Sequence, residues 1–103
     1  MSLRELDPVI HAQARLRVVA ALSTLADGDK LSFPRLQEIL AMTAGNLSVH
    51  LRKLEDAGYV AIDKSFVGRK PLTRVRLTET GRAAFAAYLR AMGQLVEQAG
   101  GGG

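Results

Sequence analysis

No cysteine occurs among the 103 residues. Disulfides, thiolate metal sites and thiol redox sensing are therefore excluded. No apolar run approaches the roughly 18 residues needed to cross a bilayer, so neither a membrane span nor a membrane partner is expected. The opening MSLRELDPVI lacks the unbroken apolar stretch of a secretory leader, and the expected location is cytoplasmic. Histidine is scarce, with only His11 and His50. His50 falls beside a leucine stripe, where a hydrogen-bonded structural role is expected. No G-x-S-x-G and no phosphate-binding glycine loop is found. No enzyme activity, catalytic residue, metal site or cofactor is expected.

Against these absences stands an ordinary globular balance, 48% hydrophobic and 23% charged residues, which argues against disorder. The length suits one domain, expected over residues 1–99, followed by a flexible glycine tail at 100–103. Lys and Arg number 14 against 10 Asp and Glu, for a net charge of +4. That excess suits a polyanionic partner if the charges cluster.

The chain reads as helix, short strand, helix, helix, strand, strand, helix. Asp7-Pro8 is an N-cap followed by a first-turn proline, predicting a helix through Ala26 that ends at Asp27-Gly28-Asp29. Leu31-Ser32-Phe33 is a short extended piece. Pro34 opens the second helix, and Ala41-Met42 leads to Thr43 as N-cap of the third. Gly58 stops that helix. The segments Tyr59–Ser65 and Thr73–Leu77 alternate apolar and polar residues as one-sided strands do, with FVGRKPL as the turn between them. Thr78 caps a last helix whose apolar stripe holds Phe85, Tyr88, Leu89, Met92 and Leu95.

In TAGNLSVHLRKLEDAGYV, Leu47, Leu51 and Leu54 recur at helical spacing and predict a buried stripe. Thr43, Asn46, Ser48, Val49, Arg52 and Lys53 then face outward. An α-helix fits the major groove of DNA. There Asn46 suits adenine, Arg52 suits guanine or a phosphate, and Val49 suits a thymine methyl. Thr43 and Ser48 are hydroxyls suited to phosphates. A solvated helix face has the same pattern. Glu55 and Asp56 oppose a uniform basic footprint and are expected to point away from DNA. From Lys64 to Arg76 the basic residues are Lys64, Arg69, Lys70, Arg74 and Arg76, and no acid interrupts them. Such a hairpin suits phosphates or a minor groove. A charged edge strand that blocks aggregation is the plainer alternative.

Together, HAQARLRVVAAL, NLSVHLRKLEDAGYV and KSFVGRKPLTRVRLTETGR resemble the winged-helix transcriptional regulators of the MarR/ArsR-like superfamily. The resemblance is closest to its small single-domain winged-helix DNA-binding group and covers roughly Leu6 to Leu95. It implies a mainly α (α+β) fold: a winged helix-turn-helix with a two-stranded β wing and flanking N- and C-terminal dimerisation helices. It implies that residues 44–57 form the recognition helix and 66–72 the wing. Lacking cysteine, the chain departs from metal-sensing ArsR-type members, and it is shorter than full-length MarR proteins.

The first helix is apolar nearly all round near Val18 to Leu22, and a partner subunit is expected to cover the excess. The expected dimer interface comprises Val9, Val18, Phe85, Tyr88, Leu89, Met92 and Leu95. A dimer would set two recognition helices about one helical turn (~34 Å) apart on an inverted repeat. The leading expectation is a homodimeric, sequence-specific regulator of double-stranded DNA acting as a repressor, with a small-molecule effector compatible. The alternative is a winged-helix protein-interaction module that offers the same surface to an acidic protein.

Overall fold

Ser32 and Thr43 each set the start of a helix. Ser32 Oγ accepts from Arg35 N and Thr43 Oγ1 from Asn46 N, both at 3.2 Å, satisfying amides that have no partner within the helix. These caps open α2 (Phe33–Leu40) and α3 (Ala44–Asp56). The computed structural model describes residues 6–100. The remaining elements are α1 (Gln13–Ser23), β1 (Leu31–Ser32), β2 (Val60–Val67), β3 (Lys70–Leu77) and α4 (Glu79–Gly100). Gly100 closes α4. The rest of the expected glycine tail, and residues 1–5, lie outside the described residues.

The turn between α2 and α3 depends on Ala41, which adopts φ +52° so that its N–H and that of Met42 can cap α2 at Glu38 and Gln37. A non-glycine residue rarely adopts this conformation. Arg17 from α1 donates to the Leu40 carbonyl at 2.7 Å, fixing the same helix end from outside. On the far side of α3, Gly58 takes φ +81° and turns the chain into β2.

The sheet is antiparallel in the order β1-β3-β2. The expected two-stranded wing therefore gains a third strand at its base, where Leu31 pairs with Val75 and Ser32 with Arg74. Beyond that base the hairpin is two-stranded. It is longer than expected, with β2 and β3 paired out to Val67 and Lys70. Gly68, at φ +64°, supplies the glycine that a two-residue hairpin turn requires. FVGRKPL is thus mostly strand. Pro71 tolerates this because the strand is short of neighbours there.

Leu47, Leu51 and Leu54 are buried, as their spacing predicts, with Val18, Val19, Leu22, Leu36, Val60, Val75 and Leu77 in one core. Val18 is fully covered within the single chain. Its expected place at a dimer interface is therefore corrected: its apolar surface is already buried in the chain's own core.

The first helix is also shorter than expected. Asp7 does accept from the Val9 and Ile10 amides, but only a turn forms, and α1 begins at Gln13. Tertiary contacts hold the intervening segment. The Tyr59 hydroxyl donates to Asp7, Arg15 Nε donates to the Val9 carbonyl, and Leu6 and Ile10 pack on Tyr88 in a second small core. Tyr88 is nearly fully buried and its hydroxyl lies 3.0 Å from His11 Nδ1, so it too serves the chain's own interior.

Candidate nucleic-acid interface

The leucine stripe of α3 is anchored in the core, so the opposite side of the helix faces solvent. Thr43, Asn46, Ser48, Val49, Arg52 and Lys53 are all exposed. Val49, 54% exposed, is an apolar residue in the middle of a polar face. Thr43 Oγ1 already accepts the Asn46 amide, and its hydroxyl hydrogen stays available for an anion. Glu55 and Asp56, expected to point away from DNA, stand near the wing-side cleft, and Asp56 also lines a hollow toward Val9 and Arg15. Both are exposed and line a cleft of about 900 Å³ shared with Arg52 and Lys64. They sit at the C-terminal end of α3, so the N-terminal half is the part with no acid on it.

His50 lies at the flank of α3, half-buried. Its Nδ1 is buried without a hydrogen-bond partner, contrary to the satisfied histidine expected from the sequence. Burial, and then the charges of Arg15 and Lys53, hold the imidazole below its ordinary pKa. The neutral ring is the form this site favours.

Strand pleat sorts the wing residues by side. Lys64 pairs with Thr73 and Phe66 with Pro71, in line with the buried pair Val60–Leu77 and the pair of half-buried Ile62 with buried Val75. These residues face α3, and Ile62, Lys64 and Thr73 line the cleft with it. Lys70, Arg74 and Arg76 pair with Val67, Asp63 and Ala61 on the far face. Arg69 sits in the turn. The expected five-residue basic wing therefore divides: Lys64 and Arg69 stand on the α3 side and at the tip, while Lys70, Arg74 and Arg76 look away from α3.

Arg74 is also engaged. Its guanidinium lies 3.5 Å from Asp63, whose carboxylate takes Lys30 Nζ at 2.8 Å. Lys30 first, and then Arg74, hold the Asp63 carboxyl below the usual carboxylate range. Sequence reading missed this cluster because Asp63 lies one residue outside the acid-free stretch and Lys30 lies on another element. Only the strand register brings them together. Among the described residues, Arg52, Lys53, Lys64, Arg69, Lys70 and Arg76 form no salt bridge.

Of the remaining expected interface residues, Val9 lines a hollow with Arg15, Lys53 and Asp56 at the C-terminal end of α3, and the others lie on α4. Val9 is half-buried against the main core, and Phe85, Met92 and Leu95 are half-buried around Tyr88. Leu89 and Val96 are 52% and 64% exposed on α4. Among the described residues no helix is long and apolar enough to cross a membrane.

Comparison with known proteins agrees with this geometry. The family described as winged helix DNA-binding domain matches residues 15–96. An uncharacterised protein of Methanocaldococcus jannaschii is 34% identical over 87 residues, covering 84% of this chain and 91% of the relative. The solved structure of a transcriptional regulator homologue from Pyrococcus horikoshii superposes with a TM-score of 0.81 at 27% identity, covering 89% of this chain and 88% of that one. A heme sensor protein from Streptococcus agalactiae, solved with heme, superposes with a TM-score of 0.73 at 22% identity, covering 88% of this chain and 61% of its own. Regulators of the MarR and ArsR families share the fold at 24% and 21% identity.

Proposed function

The chain belongs to the winged helix DNA-binding domain family, and on that premise we propose that it is a sequence-specific regulator that reads double-stranded DNA with α3 and its wing. The observation carrying this reading is the placement of two surfaces on one side. Asn46, Val49 and Arg52 are exposed on α3, and Val49 and Arg52 line a cleft whose other wall holds Lys64. A helix in a major groove with an adjacent hairpin along the backbone matches that arrangement. Asn46 and Arg52 are the base readers, Val49 meets a thymine methyl, and Lys64 and Arg69 hold phosphates. Glu55 and Asp56 repel phosphates and tilt the helix so that its N-terminal half enters the groove.

The same proposal includes a homodimer through α4, binding an inverted repeat, and repression by occupying the operator. Leu89 and Val96 support the dimer, since exposed apolar residues on a helix favour burial against a second copy. The test is selection of bound duplexes from a random pool by purified protein at moderate salt. Enrichment of an inverted repeat is the expected result. Recovery of no duplex at low salt, with an acidic protein captured instead, would reject the reading in favour of a protein-interaction module.

A further inference from the structure

The two most exposed large apolar side chains of the described residues are neighbours. Phe66 is 73% and Val67 66% exposed, and neither joins a core cluster. Phe66 lies four residues beyond Ile62, roughly 13 Å farther along the strand, so the body of the protein cannot cover it. An uncovered aromatic at the end of a hairpin is an aggregation liability for the free protein. Its setting narrows what would cover it. Lys64 precedes it on the same face, Arg69 and Lys70 follow it across the turn, and residues 64–78 include no acid. The occupant must therefore be polyanionic and must also present an apolar surface to a ring. Stacked bases between phosphates meet both conditions.

An anionic lipid surface meets the charge condition as well, but the pleat decides against it. Phe66 shares the face of β2 that looks toward α3, in line with Lys64, which walls the cleft beside Ser48, Val49 and Arg52. A ligand that meets Phe66 from that side is the ligand already seated on α3. A flat bilayer would have to fit inside the angle between the wing and the helix.

We infer that Phe66 is a wedge that enters the minor groove beside the α3 footprint and partly unstacks one base step, while Val67 points to the opposite face of the hairpin and takes no part. This rests on the DNA-binding reading above. Apolar side chains inserted between base steps kink the duplex, and pyrimidine–purine steps yield at least cost. The wing thus adds a preference for a deformable step flanking the sequence read by α3. Lys64 and Arg69 grip phosphates to either side, and the wedge itself carries no charge.

The experiment uses duplexes recovered from a random pool by the wild-type chain, with 2-aminopurine placed in turn at each adenine flanking the α3 footprint. Wild type is expected to raise fluorescence at one flanking step, Phe66→Leu to raise it less, and Phe66→Ala not at all. Phe66→Ala is expected to weaken binding about tenfold, the scale of one lost aromatic–base contact. Its salt dependence should be unchanged, because no phosphate contact is lost. Its thermal midpoint should match wild type because the ring is exposed. If it does not, the fluorescence of Phe66→Leu decides. Tight, salt-dependent binding by wild type with 2-aminopurine silent at every position would overturn the wedge and leave the DNA-binding reading standing. Failure of wild type to bind any duplex would remove both. Phe66-dependent binding to phosphatidylserine vesicles with silent 2-aminopurine would also overturn it.

Discussion

Gly81, in the first turn of α4, packs directly on the backbone of Tyr59. A Cβ at Gly81 would overlap the Tyr59 carbonyl oxygen and stand 2.8 Å from its carbon and 2.9 Å from Leu77 Cδ1. The contact ties α4 to the start of β2, and two bonds reinforce it. Thr78 Oγ1 accepts the Gly81 amide at 2.9 Å while its hydroxyl donates to the Gly58 carbonyl at 2.6 Å. Backbone cannot yield as a flexible side chain does. Gly81→Ala is therefore expected to cost about 3 kcal/mol, read as a lower urea midpoint. An unchanged midpoint would mean that the α4–β2 junction is looser than this packing.

His50 and Tyr59 shape the pH dependence of stability below neutrality and in alkali, and Asp63, with its lowered pKa, adds a loss only at still lower pH. His50 has a lowered pKa in the folded chain, so folding favours its neutral form. That contribution is present above the ordinary value of 6.5 and is lost as pH falls through the folded pKa. Tyr59 is pushed up to about 12, first by donating to Asp7, then by burial and by the Asp7 charge. Its contribution is complete below the ordinary value of 10 and is lost as pH rises toward 12. Thermal midpoints should form a plateau that falls at both ends. His50→Gln should flatten the acid arm and Tyr59→Phe the alkaline one. Both variants retaining both arms would show that other groups set the profile.

Much of this fold is legible in the chain because local signals and packing agree. Thr43 and Thr78 look like caps and are caps, and the Leu47, Leu51, Leu54 spacing does face the core. Legibility fails where a distant contact overrides a local preference. Asp7-Pro8 is a sound helix start, yet Tyr59 and Arg15 take hold of the segment and α1 waits until Gln13. Ala41 carries no sign of a left-handed conformation, which the Arg17 and backbone bonds around it stabilise. In the candidate site the outward residues of α3 follow from periodicity. The division of the wing into two faces requires the strand register, and so does the capture of Arg74 by Asp63.

That division makes a charge prediction. Arg69 in the turn should hold a phosphate, so Arg69→Ala should weaken binding on all duplexes and lower the slope of log K against log salt by about 0.9. Arg74 is held by Asp63 on the face away from α3, so Arg74→Ala should leave the slope nearly unchanged. Titrations of both variants over a range of salt concentrations separate the cases. Equal loss of slope would place DNA across the far face of the wing and displace α3 from the groove.

Base reading should behave differently from phosphate holding. Asn46→Ala or Arg52→Ala is expected to relax preference at one base pair, with about 1–3 kcal/mol of discrimination lost there. Affinity for unrelated duplexes should change little for Asn46→Ala, which removes no charge. Selection with each variant from the same random pool reads this directly. A uniform fall across all sequences would reassign these residues to the backbone.

The exposed stripe of α4 gives the last prediction. The molecule measures 59 × 25 × 21 Å, and its radius of gyration, 15.3 Å, exceeds the roughly 13 Å of a compact chain of this length. Leu89 and Val96 both stand clear of the buried residues, so Leu89→Asp should leave the monomer fold and its thermal signature intact. In a homodimer joined through α4, the same change buries an unpaired charge at the interface. Sedimentation should then show wild type as a dimer and Leu89→Asp as a monomer at equal concentration. The variant should also lose the inverted-repeat preference while keeping weaker binding to a single half-site, because α3 and the wing belong to one chain. Wild type sedimenting as a monomer would instead require each half-site to be read independently, and the selected sites would then carry no two-fold symmetry.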